Sequence, residues 1–133
     1  MIEASLTSTV YRAIRENRFE DAIETLSEKM QSLPRTMAGL SLLGYCYYHI
    51  HDYYNASLMY EQLVDVCPEV EEYKLYLAQS LYKNAAYVEA AAVSARIEDA
   101  RLSKRTILLM NSIKYEQNDL IGCKALLDQC VDQ

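Results

Sequence analysis

Histidine and cysteine are the residue types in this chain that could hold a metal or attack a substrate. His49 and His51 are two residues apart, so on a helix they point in different directions and cannot share a metal as an i, i+4 pair does. No cysteine has an identifiable histidine partner in its own segment, and the sequence has no glycine-rich phosphate loop. These patterns predict no metal, no cofactor and no enzyme.

The cysteines form no C-x-x-C pair, although Cys123 and Cys130 are seven residues apart and could share a helix face. In helical chains such cysteines are usually small core residues, and a disulfide or a metal site is the alternative. We therefore predict unpaired thiols and a reducing, cytoplasmic compartment. The prediction covers Cys46, Cys67, Cys123 and Cys130.

The tyrosine residues of this chain are suited to binding another polypeptide. Tyr48, Tyr82 and Tyr115 follow one another by 34 and then 33 residues, with Tyr11 and Tyr45 one row over. A tyrosine ring has a wide apolar face and one hydroxyl, at a low cost in side-chain entropy. A row of such rings suits an extended, proline-rich ligand, because a preformed polyproline segment docks on aromatic-lined grooves.

The elements that would position these rings recur at a constant interval. Phe19, Tyr53 and Tyr87 follow one another at intervals of 34 residues. An alanine follows each of them three residues later, at Ala22, Ala56 and Ala90. A period of 34 is typical of the tetratricopeptide repeat, a helix–turn–helix unit. It predicts an all-α tetratricopeptide-repeat solenoid of four helical hairpins, stacked into a right-handed superhelix. The four units, about 3–36, 37–70, 71–103 and 104–133, would form a single domain over 1–133.

The second unit matches the repeat best. Gly44 and Ala56 are small residues where the two helices of this unit are expected to cross, and Tyr60 follows on the second helix. Pro34 ends the first unit, and Pro68 ends the second. The helices of the first unit are expected at about 5–16 and 20–31, and the last helix at about 120–131. The fourth unit is expected to begin at Ser103 or Lys104. Asp52 and Asp119 are the expected N-caps of the second helices of their units.

The last two units depart from the pattern. The small-residue positions Ala90 and Cys123 are 33 residues apart, so one residue is missing from the linker between these units. Asn111 also stands where Gly44 stands in the second unit. After the final helix no polar capping helix follows, which predicts first the N-terminal part of a longer superhelix. The alternative is that this helix packs on a partner or on a second copy of the chain.

Side chains on the first helix of each hairpin are expected to line the concave face at the fifth, ninth and twelfth places of the repeat, counted from Met37 in the second unit. Some of their tyrosines could instead pack between helices, as we expect of Tyr47 and Tyr60. Arg15, His49, Lys83 and Glu116 would form a rim that orients the ligand, or simply solvated helix faces. The predicted partner-binding residues are Tyr11, Ser41, Tyr45, Tyr48, Leu75, Gln79, Tyr82, Leu108, Ser112 and Tyr115, with Thr7 and Ile14 at the same places of the first unit.

Charge and hydropathy exclude several other classes. The formal net charge is −6 and the pI is about 4.9, which disfavours nucleic acid and anionic membrane surfaces as partners. We find no apolar run of transmembrane length and no secretory signal. A carboxylate clamp for chaperone tails needs lysine and asparagine where Thr7, Tyr11, Ser41 and Tyr45 stand. A free-standing tetratricopeptide adaptor of cochaperone type therefore remains only as the alternative.

Two runs go well beyond the generic repeat, Gly44-Tyr45-Cys46-Tyr47-Tyr48 and Ala78-Gln79-Ser80-Leu81-Tyr82-Lys83. With Tyr60-Glu61-Gln62-Leu63, Tyr73-Lys74-Leu75-Tyr76 and Ile113-Lys114-Tyr115, they resemble the N-terminal repeats of the intraflagellar-transport tetratricopeptide family, that of tetratricopeptide repeat protein 30 (fleer or DYF-1). The resemblance extends from Thr9 to Leu127, and family members are much longer.

The resemblance implies a non-enzymatic scaffold of the intraflagellar transport complex B, present in the cytoplasm and the cilium and needed for cilium assembly. It also implies that the chain wraps an extended, proline-containing segment of a partner subunit of the intraflagellar-transport protein 52 type. The family is also tied to a ciliary kinesin and to tubulin polyglutamylation, but no residue pattern in this chain tests either of these roles. The resemblance assigns no individual contact residue.

Overall fold

The computed structural model describes residues 2–32, 36–117 and 120–131, and within these ranges it contains helices and no strand. The all-α prediction is confirmed. One 3-10 turn, Ala100–Leu102, directly precedes α7. The helices are α1 Ile2–Arg15, α2 Phe19–Ser32, α3 Met37–His49, α4 Tyr53–Val66, α5 Glu71–Lys83, α6 Tyr87–Ser94, α7 Ser103–Glu116 and α8 Leu120–Val131.

The chain divides into two compact units, Met1–Val66 and Cys67–Gln133. In the first unit α1 packs on α2, α2 on α3, and α3 on α4; in the second, α5 packs on α6, α6 on α7, and α7 on α8. Each unit therefore holds two successive helical hairpins, in which each helix contacts the next along the chain. This order is the one that the repeat period predicts.

The same backbone turn joins the two helices of the first three hairpins. Its central residues, Asn17, His51 and Ala85, have left-handed φ angles of 59°, 65° and 63°. In the second hairpin the His51 N–H donates to Tyr48 O at 3.1 Å, and the Asp52 N–H donates to Tyr47 O at 2.9 Å; the first and third hairpins repeat this pair of bonds. These bonds define a Schellman turn, which satisfies the last carbonyls of the first helix. Consequently α2, α4 and α6 all begin at the repeated aromatic residue.

Side-chain caps fix two helix starts. Asp52 Oδ1 accepts from the Asn55 N–H at 3.2 Å, which confirms the predicted N-cap of α4. Thr36 Oγ1 accepts from the Gly39 N–H at 3.0 Å and caps α3, a role that the sequence pattern does not predict. The predicted stop at Pro34 and the predicted cap at Asp119 lie outside the described residues.

The repeated alanines are core residues in both units: Ala22 is 1% exposed, and Ala56 and Ala90 are 0% exposed. In the first unit Leu40, Leu43, Cys46 and Leu63 are also buried, and Tyr60 is only 7% exposed. In the second unit Ala90 belongs to one apolar cluster with Leu75, Ala78, Leu102, Leu109 and Ile113. The small residue at the repeat position lets the helices of each hairpin approach closely.

The third hairpin departs from the regular pattern at its second helix. α6 has 8 residues, whereas α2 and α4 have 14 each. An irregular segment follows α6, and the Glu71 carboxylate holds it by accepting from the Glu98 N–H at 2.6 Å and from Lys74 Nζ at 2.6 Å. Lys74 and that N–H hold the pKa of Glu71 below its ordinary value. The shorter stride between the third and fourth units therefore coincides with a shortened helix.

Candidate functional site

Five ring-bearing residues of the first unit form a connected surface, which we call the aromatic patch: Phe19, Tyr45, Tyr48, His49 and Tyr53. The His49 ring stacks on Phe19, with centroids 5.1 Å apart and an interplanar angle of 12°, and lies 4.1 Å from the Tyr45 ring. Tyr48 meets Tyr53 edge-on at 5.1 Å. Every member is at least partly exposed, and Tyr45 is 43% exposed.

Helix periodicity and the repeated turn bring these rings together. Tyr45, Tyr48 and His49 are three and four residues apart on α3, so they share one face of that helix. Phe19 and Tyr53 are the first residues of α2 and α4, directly after a Schellman turn. The turn after α3 sets Tyr53 beside the face of α3, and the packing of α2 on α3 brings Phe19 to the same face. The sequence pattern identifies Phe19 and Tyr53 only as markers of the period and does not predict their place in this surface.

The polar groups of the aromatic patch are its tyrosine hydroxyls and the His49 ring. Burial, and secondarily the neighbouring Tyr53, raise the pKa of the Tyr48 hydroxyl above its ordinary value. Tyr53 Oη lies 2.7 Å from Nδ1 of His51, within hydrogen-bond distance. The surface therefore offers apolar ring faces and tyrosine hydroxyls, a combination that suits a polypeptide ligand.

The second unit repeats part of this arrangement. The ring of Tyr82 lies 5.9 Å from that of Tyr87, the counterpart of the Tyr48–Tyr53 pair. Tyr82 is partly buried against the apolar cluster, and this burial raises the pKa of its hydroxyl, with smaller contributions from Glu116 and Tyr87. Tyr115 is 63% exposed and Leu108 is 44% exposed.

One predicted binding residue is wrong. The Leu75 side chain is 0% exposed and belongs to the apolar cluster of the second unit, so it cannot face a ligand. The fifth place of that helix turns into the core, where Leu109 and Ile113 of α7 also pack. Tyr11 is 49% exposed, whereas Ile14, Ser41, Gln79 and Ser112 are partly buried. The side chain of Thr7 lies outside the described residues.

Among the described residues, no group of three histidine, cysteine or acidic side chains is placed to hold a metal ion. Cys46, Cys67 and Cys130 form no disulfide bond; the thiols of Cys46 and Cys67 are buried, and that of Cys130 is partly buried. Burial raises the pKa of the Cys46 thiol to about 11, so it is not a ready nucleophile at neutral pH. The side chain of Cys123 lies outside the described residues. None of the described helices is both long and apolar enough to cross a bilayer.

Solved structures with the same arrangement of helices identify the fold. The chain described as "MamA RS-1 ArsTM double mutant" matches with a TM-score of 0.84 at 18% identity, over 97% of this chain and 73% of that one. "MamA MSR-1 C2" matches with a TM-score of 0.81 at 12% identity, over 90% of this chain and 70% of that one. The fold is a tetratricopeptide-like helical solenoid.

The family model of Intraflagellar transport protein 56 matches residues 40–133, and the chain belongs to this intraflagellar transport family. Intraflagellar transport protein 70A of Xenopus laevis is 47% identical over 127 residues, which are 96% of this chain and 20% of that protein. The 70A protein of Danio rerio is 45% identical over the same shares, and the 70B protein of Rattus norvegicus is 42% identical over 96% of this chain and 19% of that protein. The chain thus spans about a fifth of the length of these relatives.

Proposed function

We propose that the chain acts as a non-enzymatic scaffold in intraflagellar transport complex B, in the cytoplasm and the cilium, during cilium assembly. Its work is to hold an extended segment of a partner subunit of the intraflagellar-transport protein 52 type; other complex B subunits and a ciliary kinesin are further candidate partners. Family membership supports the transport role. The observation that carries the binding role is the exposed aromatic patch of the first unit.

The aromatic patch fits an extended ligand because its rings lie side by side along two helix starts and one helix face. Their apolar faces would cover proline or aliphatic side chains, and the tyrosine hydroxyls would meet the backbone carbonyls of the ligand. Tyr45 is the leading anchor, because it combines 43% exposure with ring contacts to Phe19 and His49. These ring contacts limit its motion, so less side-chain entropy is lost on binding.

The second unit would contribute its own exposed face. Tyr115 and Leu108 supply the apolar surface there, and Ser112 stands between them, its hydroxyl donating to Leu108 O at 3.1 Å. Gln79 and Tyr82 remain candidate contacts, whereas Leu75 is removed from the set. That the four hairpins form one repeat domain, and that the last helix self-associates, also remain proposals. Leu127 of that helix is 44% exposed.

A binding measurement with matched tyrosine variants tests the proposal. The ligand is the proline-containing segment of the protein 52 type subunit, titrated into the parent chain, Tyr45→Ala, Tyr115→Ala and the control Tyr54→Ala. Tyr54 is 59% exposed on α4 and is not part of the aromatic patch. Loss of an aromatic anchor weakens binding by about tenfold or more, whereas the control binds as the parent does.

Two outcomes would overturn the proposal. If Tyr45→Ala stays folded by circular dichroism and binds as tightly as the parent, the aromatic patch is not the binding surface. If the chain instead binds peptides with acidic C-termini at micromolar affinity and ignores the proline-containing segment, the adaptor alternative replaces the transport scaffold.

A further inference from the structure

One side of α7 lies open to solvent from its first turn to its last. At 3.6 residues per turn, five exposed or partly buried positions fall within about a 100° sector of this helix, so they share one side of it. Leu109 and Ile113, on the other side, are buried in the apolar cluster of the second unit. We call the open side the α7 face, and its members are Lys104, Arg105, Leu108, Ser112 and Tyr115.

The first turn of the α7 face carries two unpaired cations. Among the residues that the structure describes, Lys104 and Arg105 have no ion-pair partner. Arg101, just before them, is bonded to the Asp99 carboxylate at 2.8 Å, which balances its charge. From residue 96 to residue 105 four cationic residues stand against two acidic ones, a net charge of +2 in a chain whose net charge is −6. The start of the α7 face is therefore locally basic.

These two cations do not serve the stability of α7. The N-terminus of a helix is the positive end of its dipole, so acidic side chains in the first turn are favourable and cationic ones are not. The first turns of α2 and α5 each hold two acidic residues, whereas the first turn of α7 holds none. A carboxylate bound beside Lys104 and Arg105 would offset this unfavourable charge.

One turn further along, the α7 face becomes apolar. Leu108 is 44% exposed and Tyr115 is 63% exposed. At 1.5 Å per residue, Leu108 lies about 4.5–6 Å along the helix axis from Arg105 and Lys104. In an extended peptide, side chains two residues apart point to the same side and are about 6–7 Å apart. An acidic and an aliphatic side chain at that spacing therefore fit the α7 face.

We propose that the α7 face binds a partner segment in which an aspartate or glutamate stands two residues from an aliphatic residue. The carboxylate pairs with Lys104 and Arg105, and the aliphatic side chain covers Leu108 on the side of Tyr115. Glu116, exposed at the opposite end of the helix, repels the carboxylate there and so fixes the direction of the segment. This inference rests on the proposed function, because it assigns the chemistry of the segment that the second unit would hold.

Nuclear magnetic resonance titration of the isotope-labelled 133-residue chain tests the inference. The probe is a ten-residue peptide in which two glutamates each stand two residues before a leucine. One control peptide has lysine in place of both glutamates, and the other has serine in place of both leucines. The glutamate peptide should shift amide signals of residues 104–116 in a saturable way, and each control should bind about threefold to tenfold more weakly. Equal binding of the glutamate and lysine peptides would overturn the inference.

Matched variants locate the carboxylate. Lys104→Glu should weaken binding of the glutamate peptide by about threefold to tenfold, whereas Arg96→Glu, which reverses an exposed cation outside α7, should have a smaller effect. Since a glutamate in the first turn favours the helix dipole, a loss of binding in Lys104→Glu does not come from unfolding of α7. Equal losses in both variants would show that net charge attracts the peptide and that the α7 face does not.

The outcome for this inference is separable from that for the proposed function. If Tyr115→Ala weakens binding of the proline-containing segment and Lys104→Glu does not, the inference fails and the proposed function stands. If Tyr45→Ala and Tyr115→Ala both leave that binding unchanged, the proposed function fails, whereas the selectivity of the α7 face for acidic peptides is judged by the peptide titrations.

Discussion

Gly44 of α3 lies directly against the ring of Tyr60 on α4. A Cβ atom placed on Gly44 would lie 2.8 Å from Tyr60 Cζ and 3.0 Å from Cε1, closer than a carbon atom can approach without movement. Tyr60 is only 7% exposed, so its ring has little room to withdraw. Glycine at this place therefore serves the close approach of two helices, and its φ angle is not positive.

We expect Gly44→Ala to destabilise the first unit. Alanine would favour the helix by about 0.5–1 kcal/mol, but the clash with Tyr60 costs about 1–3 kcal/mol, so the free energy of unfolding should fall by about 1 kcal/mol. Urea unfolding followed by circular dichroism measures the change. In the Tyr60→Leu background the same substitution should cost less, because the ring is gone; equal costs in both backgrounds would show that the ring is not the obstacle.

We expect Ala85→Gly to stabilise the third hairpin. Ala85 has φ 63° in the Schellman turn, where a Cβ atom costs about 1–2 kcal/mol, whereas glycine adopts this angle freely. After the greater chain entropy of glycine is subtracted, the free energy of unfolding should rise by about 0.5–1 kcal/mol. Ala86→Gly is the matched control, because Ala86 has φ −88°, and there glycine should destabilise. A decrease for both variants would contradict the strain argument.

The Glu71 carboxylate should make the second unit sensitive to acid. Its pKa is lowered in the folded chain, so its contribution to stability is present above its ordinary value of 4.5 and is lost as the pH falls through the lowered pKa. At pH 7, Glu71→Gln should reduce the free energy of unfolding by about 1–2 kcal/mol, since a partly buried carboxylate loses its charged hydrogen bonds.

Unfolding measured from pH 7 down to pH 3 checks this prediction, because the difference between parent and variant should shrink toward the acid end. Glu72→Gln is the control: its contact with Arg101 is 3.7 Å long and Arg101 is highly exposed, so little stability should be lost. An acid-independent difference for Glu71→Gln would contradict the assigned role of its charge.

The Cys46 thiol should make the first unit sensitive to alkali. Because burial raises its pKa from an ordinary 9.0 to about 11, its contribution to stability is full below pH 9 and is lost as the pH rises to about 11. The raised pKa values of Tyr48 and Tyr82 act in the same direction, so the parent loses stability for more than one reason. The comparison with Cys46→Ala isolates the thiol.

The free energy of unfolding should fall less steeply between pH 9 and pH 11 in Cys46→Ala than in the parent, by about 2–3 kcal/mol over that range. Parallel curves for parent and Cys46→Ala would contradict burial as the cause of the raised pKa.

The sequence by itself determined the helices and their stride. The 34-residue interval from Phe19 to Tyr53 to Tyr87 marks three helix starts, and the alanines three residues later are core positions, because one local pattern repeats in one geometry. The N-cap at Asp52 was also predictable, since it depends on residues within a single turn. Such features depend only on residues that are close together in the sequence, so the sequence is enough to predict them.

The tertiary structure alone decided which side chains face outward. Leu75 and Tyr45 both occupy predicted ligand-facing places, yet Leu75 is buried among residues of α6 and α7, while Tyr45 is exposed beside Phe19 of α2. The early end of α6 was likewise not predicted. Exposure depends on what neighbouring helices bring to the same place, and their exact lengths and rotations are set by packing between elements distant in the chain.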